Sequence, residues 1–258
     1  MIKRGTHSAK TRRLWAVLGV FFWIALWCIA ARFVGKEVLL PSPAAVARAF
    51  YELLTTGALF THIAASAWRT LAGFTLSLAA AAVLSLLTYR DAAQERRAFL
   101  LTEALRVTPP LSLVPLLILW LGIDEAPKIA IVFLSSFFPI YLNTVTALRS
   151  TDPKLIEVAR LLHFTPREMF FKLRLPSALP GLLTGIRLGF GYSWRALVGA
   201  ELVAASSGLG FLISESAEFV KTDGVFVGIF TIALLGVAAD ALLRRLIERA
   251  AHQHALSR

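Results

Sequence analysis

The chain has 258 residues, of which 57% are hydrophobic and 17% charged, with a formal charge of +11. Soluble domains carry about 25% charged residues, so this balance excludes an ordinary globular domain and points to a protein that lives in lipid. The apolar runs are continuous rather than alternating, which excludes a β-barrel, and the lone Cys28 excludes an intrachain disulfide or a thiolate metal cluster.

Apolar runs that approach the roughly 20 residues needed to cross a bilayer core predict an all-α polytopic protein. Six transmembrane helices are expected at about 14–34, 66–88, 101–121, 127–147, 180–204 and 224–243. The first run is longer than a signal-peptide core, so it is expected to stay as a span, with Cys28 a small buried hydrophobe inside it. Lys3, Arg4, Lys10, Arg12 and Arg13 precede this span and place the N-terminus in the cytoplasm. Beyond it, Ser42-Pro43 offers an N-cap with proline at the first helical position, and Gly57 offers a stop. A short outer helix over 43–56 follows from those two signals. The loop after span two carries Arg90, Arg96 and Arg97, the long loop after span four six basic residues, and the tail Arg244, Arg245, Arg249 and Arg258. With the N-terminal group, these segments hold eighteen of the 27 basic residues, and all of them are cytoplasmic in a six-span, N-in arrangement. The basic excess therefore sets orientation and is not a nucleic-acid footprint.

The long loop between spans four and five has legible helix punctuation. Asp152 is an N-cap with Pro153 after it, and Leu155, Ala159 and Leu162 share a face with Val158 beside it. Thr165 caps a second helix, Pro166 follows, and Glu168 completes a capping box. Leu175-Pro176 is expected to end this pair, and Pro180-Gly181 to open span five. The segment 152–174 therefore predicts a rigid cytoplasmic knuckle with no core of its own, and such a surface suits helix-in-groove docking of a partner.

In span five, Gly181, Gly185 and Gly189 fall on one face and permit close approach of a neighbouring helix. Arg187, Trp194 and Glu201 are spaced by seven and form a stripe nearly opposite. Charge there suits a cavity or a partner better than lipid, although Glu201 has an equal claim to snorkel to the outer interface. Arg195 beside the stripe, Arg106 in span three and Asn143 in span four are further candidates for a translocation pathway. A cationic lining of that kind suits an anionic solute.

The run Glu157-Val-Ala-Arg-Leu-Leu-His163-Phe-Thr165-Pro, with Pro109-Pro110, Trp120-Leu-Gly122, Phe138-Pro139, Asn143 and Gly208-Leu-Gly-Phe in order around it, resembles bacterial ABC importer permeases. The similarity is to the subunits that serve taurine, alkanesulfonate, nitrate and bicarbonate importers, and the long loop is similar to their EAA loop. It implies a type I permease fold in the bacterial inner membrane with both termini cytoplasmic. It also implies two ATPase subunits, which hold ATP and magnesium, an external solute-binding protein, and a second copy of the chain. By the same resemblance Glu157, Val158, Ala159, Leu162, His163, Thr165 and Arg167 are expected to dock the ATPase. The family usually has glycine six residues after the EAA glutamate, where this chain has His163. A corner there wants φ > 0, which histidine can adopt at a cost of about 1 kcal/mol.

The chain has no P-loop motif, so it is not expected to bind ATP, another cofactor or a metal itself. A gradient-driven carrier would need acidic groups at mid-membrane. Glu103 and Asp240 instead lie near cytoplasmic ends, with Arg244 four residues after Asp240 as a ready partner. A membrane-embedded hydrolase would need a histidine inside a span, and all five lie outside or at the edges.

Overall fold

The computed structural model describes residues 9–89, 103–104 and 107–256. Every regular element among them is helical: α1 (Ala9–Val34), α2 (Pro43–Thr55), α3 (Ala58–Thr88), a 3₁₀ turn (Pro110–Leu113) leading into α4 (Val114–Leu121), α5 (Glu125–Arg149), α6 (Pro153–Leu161), α7 (Pro166–Ala204), α8 (Leu209–Glu218) and α9 (Thr222–Leu256). The start of the predicted span 101–121 and the Arg90–Arg97 loop lie outside the described residues.

Among the described residues three helices are long and apolar enough to cross a membrane, Ala58–Thr88, Glu125–Arg149 and Thr222–Leu246. A fourth crossing is possible for α7 and α8 together, which meet at a 40° bend. Within the predicted spans 14–34 and 101–121 the apolar helices are shorter, Leu18–Val34 and Pro110–Leu121. The described chain divides into two compact units.

One unit comprises the chain to Phe60 together with Leu212–Phe230. Its helix α2 begins as expected, with Ser42 accepting from the Ala45 amide at 3.2 Å and Pro43 at the first position. Trp27 of α1 donates its indole N–H to the Pro41 carbonyl at 3.0 Å and stacks on Phe226 with ring centres 5.5 Å apart. Cys28 is exposed on α1 rather than buried. The reason is that α1 presents most of its apolar side chains outward, as a helix does when lipid is its solvent. Val220 takes φ +58 where α8 ends, a conformation in which a β-branched residue is strained.

The second unit comprises Thr61–Phe211 and the chain from Thr231. Its core is Phe74 and Ala81 of α3, Val132, Ile140, Tyr141 and Val145 of α5, and Leu197 of α7. Helices α5 and α7 pair extensively, because glycines let their backbones approach. A methyl added at Gly181 would meet Ala147 Cβ at 2.5 Å, and one at Gly189 would meet Ile140 Cγ1 at 2.6 Å.

Contrary to expectation, no break separates the knuckle from span five. Helix α7 runs on from Pro166 through a π-helical turn at Met169–Arg174, past Pro176 and Pro180, to Ala204. A wide turn just before Pro176 accommodates the missing N–H and the ring without ending the helix. The loop helix and the span are thus one rod.

Candidate functional site

The knuckle at residues 152–174 is built by local hydrogen bonds. Asp152 Oδ1 accepts from the Lys154 amide at 2.9 Å. At the far end of α6, the Phe164 amide donates to the Ala159 carbonyl and the His163 amide to the Arg160 carbonyl, both at 3.0 Å. This is the paired-bond helix ending that glycine normally serves, and His163 takes φ +55 to make it. Thr165 and Glu168 form the reciprocal capping box. Lys172 reaches the same carboxylate at 2.8 Å, and these donors hold the Glu168 carboxyl down at about 2. A lowered carboxyl favours the folded knuckle above about pH 4.5, and that contribution is lost as the pH falls through about 2.

Glu157, Val158, Leu162, His163, Thr165 and Arg167 all lie exposed on this knuckle. Ala159 does not: it is 3% exposed, buried on the inward side of α6. The exposed apolar stripe of the knuckle is formed instead by Leu155, Val158, Leu161 and Leu162. Replacing His163 by glycine should relieve the left-handed backbone and raise stability by roughly 1 kcal/mol with uptake unchanged. A lower melting temperature for H163G would mean that the ring makes a contact worth more than the strain.

The candidate pathway residues separate into three environments. Arg106 lies outside the described residues. Arg187 of α7 makes a two-pronged pair with Asp240 of α9, Nε to Oδ1 and Nη2 to Oδ2, both at 2.7 Å. The partner of Asp240 is therefore a neighbouring helix rather than Arg244 alone. Both side chains are more than one-third exposed, so the pair is worth up to about 1 kcal/mol. Swapping the charges (Arg187→Asp with Asp240→Arg) should restore whatever assembly or uptake R187D loses. No recovery in the double variant, measured by uptake into vesicles, would show that the arginine acts on something other than Asp240. Trp194 packs on α9, where a methyl on Gly236 would come within 2.9 Å of its indole nitrogen.

Glu201, expected either to line a cavity or to snorkel to the outer interface, is buried against other parts of the protein. It is 1% exposed and accepts from Arg69 Nη1 at 2.7 Å, from the Ser66 hydroxyl at 2.8 and 2.9 Å, and from the Gly210 amide at 3.0 Å. Arg69, also 1% exposed, makes a second, two-pronged pair with Glu125 at 2.6 and 2.7 Å. Its remaining donors reach the carbonyl and hydroxyl of Ser207. The Ser66 hydroxyl accepts from the Leu209 amide at 2.8 Å, and His62 Nδ1 from the Gly208 amide at 3.1 Å. Any side chain at Gly208 would run into the Glu201 carboxylate. The cluster holds the α7–α8 bend against α3 and the start of α5. Sequence reasoning missed Arg69, yet a signal was present: it is the one charged residue between Ser66 and Thr88, and an intramembrane arginine calls for a partner.

Asn143 and Arg195 come together at a cavity of about 550 Å³ between the 107–113 segment, α5 and α7. Its walls are mostly apolar, with Leu113, Leu134, Phe138, Leu142 and Leu188 among them, and Arg195 is the one charged lining residue among the described residues. Arg195 Nε donates to Gly191 O in its own helix at 2.9 Å, and the guanidinium lies 5.2 Å from the Tyr192 ring centre. An unpaired arginine in the body of a span costs about 2.5–3.5 kcal/mol to insert, unless it faces water or a ligand.

The family model for binding-protein-dependent transport system inner membrane components matches residues 73–252. The putative aliphatic sulfonates transport permease protein SsuC of Bacillus subtilis is 39% identical over 88% of this chain and 82% of its own length. Its namesake from Escherichia coli is 40% identical over 88% and 86%. The Escherichia coli taurine transport system permease protein TauC is 38% identical over 59% of this chain and 55% of its own. Among solved structures, an inward-facing form of the MetNI methionine ABC transporter superposes with a TM-score of 0.57 at 20% identity. That match covers 72% of this chain and 93% of the other, and it shows the fold. The chain belongs to the binding-protein-dependent transport system inner membrane components, and is a permease subunit of an ABC importer, a membrane-integral partner of an ATPase and a solute-binding protein.

Proposed function

We propose that two copies of this chain form the pathway of an inner-membrane importer for small organic anions of the sulfonate class. The observation that carries the reading is the 39–40% identity over 88% of the chain to permeases named for aliphatic sulfonates. The unpaired Arg195 in an apolar cavity supports it independently of any name. Both termini lie in the cytoplasm, as the basic loops suggest.

Two ATPase subunits, each holding ATP and magnesium, dock on residues 152–174, where Leu155, Val158 and Leu162 offer the apolar contact and Glu157 and Arg167 the charged one. Because α7 continues from the knuckle into the membrane without a break, a push on the loop moves the helix that carries Arg195. Closure of the ATPase pair on ATP then tilts this rod, opens the pathway outward to receive solute from the binding protein, and lets it reset on hydrolysis.

Glu157→Lys reverses an exposed charge without disturbing a buried contact. In the purified complex it should cut ATPase stimulation about tenfold while insertion and melting temperature stay as in wild type. Normal stimulation in E157K would remove Glu157 from the docking surface.

A further inference from the structure

The importer reading does not say where in the membrane the solute is held, or what part of the solute is recognised. Building on that reading, we infer that the cavity between the 107–113 segment, α5 and α7 is a binding site for organic monoanions with an alkyl tail. The headgroup sits on Arg195 and the tail along Leu134, Phe138, Leu142 and Leu188.

The Thr108 hydroxyl donates to Ala104 O at 2.8 Å, the Ser135 hydroxyl to Ile131 O at 2.7 Å, and Asn143 Nδ2 to Pro139 O at 2.7 Å. These polar side chains bond back to their own helices, as such residues do in apolar surroundings. Arg195 is different. Only its Nε is engaged within its helix, and no carboxylate among the described residues pairs with it. Its terminal nitrogens are thus left as donors, and the Tyr192 ring steadies the guanidinium plane.

Arg195 is the one cationic donor group among the described lining residues, and one such group accommodates one anionic head. A second oxyanion placed elsewhere would meet mostly apolar walls and hydroxyl and amide groups already bonded back to backbone carbonyls. The size of the cavity makes a second selection. Nitrate and bicarbonate have four heavy atoms and occupy on the order of one or two water volumes of ~30 Å³ each, so they leave most of the 550 Å³ unfilled. An alkyl chain of several carbons fills that remainder, and each methylene moved from water onto the apolar wall should tighten binding about fourfold. The class that fits is an alkanesulfonate or a similar organic oxyanion, held by charge at one end and by burial along the other.

The test uses the full permease assembled with its ATPase in lipid nanodiscs, without the binding protein, and empty nanodiscs as control. Methanesulfonate, butanesulfonate, hexanesulfonate and nitrate are titrated by calorimetry. Affinity should rise at least tenfold from methanesulfonate to hexanesulfonate, and nitrate should not compete. Arg195→Gln should weaken hexanesulfonate at least tenfold, and Arg195→Lys should keep most of the binding. Leu188→Trp, which changes a partly exposed wall residue, should remove the chain-length preference while leaving melting temperature and ATPase assembly unchanged. Equal hexanesulfonate binding by wild type and R195Q, or nitrate competing as well as hexanesulfonate, overturns the site. ATP-driven uptake of methanesulfonate by the wild-type complex with its binding protein is measured in parallel. If uptake occurs while the site test fails, the site alone is wrong; if no sulfonate is taken up, the importer reading fails and the site falls with it.

Discussion

Arg69→Met should lower the stability of the purified permease by about 3–5 kcal/mol, the cost of leaving a buried charge without its partner. The substitution preserves side-chain bulk, so the loss is electrostatic rather than a cavity effect. It leaves Glu201, 1% exposed, with a hydroxyl and an amide for company but no counter-charge. The second partner, Glu125, has a half-exposed side chain and can turn to water. The double variant Arg69→Met, Glu201→Met should therefore be clearly more stable than R69M, because both buried charges go together. Glu125→Ala alone should cost roughly 1 kcal/mol, as half-exposed pairs do. Melting temperatures of the four proteins in one detergent decide the matter. Equal losses in R69M and in the double variant would contradict the cluster, since they would place the cost in packing.

Gly185→Leu should be nearly as damaging, by a different route. A methyl at this position already comes within 2.7 Å of Asn143 Cβ, 3.3 Å of Pro139 O and 3.4 Å of Ile140 O. Two of those three neighbours are backbone atoms of α5, which no side-chain rotation can move aside. Accommodating leucine means separating α5 from α7, and overpacking of that kind costs about 1–3 kcal/mol or more. Gly19→Leu is the control, because nothing lies within 4 Å of a methyl there. G185L should fail to accumulate in the membrane or should melt well below wild type, while G19L should match it. Similar behaviour of the two would mean that α5 and α7 do not meet through their glycines.

What could be read from the sequence was what is encoded locally. Ser42-Pro43, Asp152-Pro153 and the Thr165/Glu168 box mark helix starts within three or four residues, and the structure has helices starting at each. The corner at His163 was legible for the same reason: two abutting helices need one residue with φ > 0 between them. The partnership of Arg69 with Glu201 is of another kind, because 132 residues separate the two and periodicity says nothing about such a distance. Asp240 shows the same limit, since its local partner was visible and its partner on α7 was not. Pro176 and Pro180 misled because proline usually ends a helix, and a π-helical turn upstream has no sequence signal. Ala159 was placed with Leu155 and Leu162 from a helical wheel, yet an isolated wheel cannot say which side the rest of the chain covers. Helix α8 went unpredicted because it is short and follows the bend that the buried cluster holds.

We propose that this chain moves an organic anion at the expense of ATP through contacts at residues 152–174. It is tested most directly by uptake into proteoliposomes containing the permease, its ATPase and its binding protein, with labelled alkanesulfonate outside and ATP inside. Uptake is expected to need ATP, to be lost in E157K despite normal assembly, and not to extend to a neutral alcohol of the same chain length. Uptake that proceeds without ATP, or that carries the alcohol as well as the sulfonate, would contradict it.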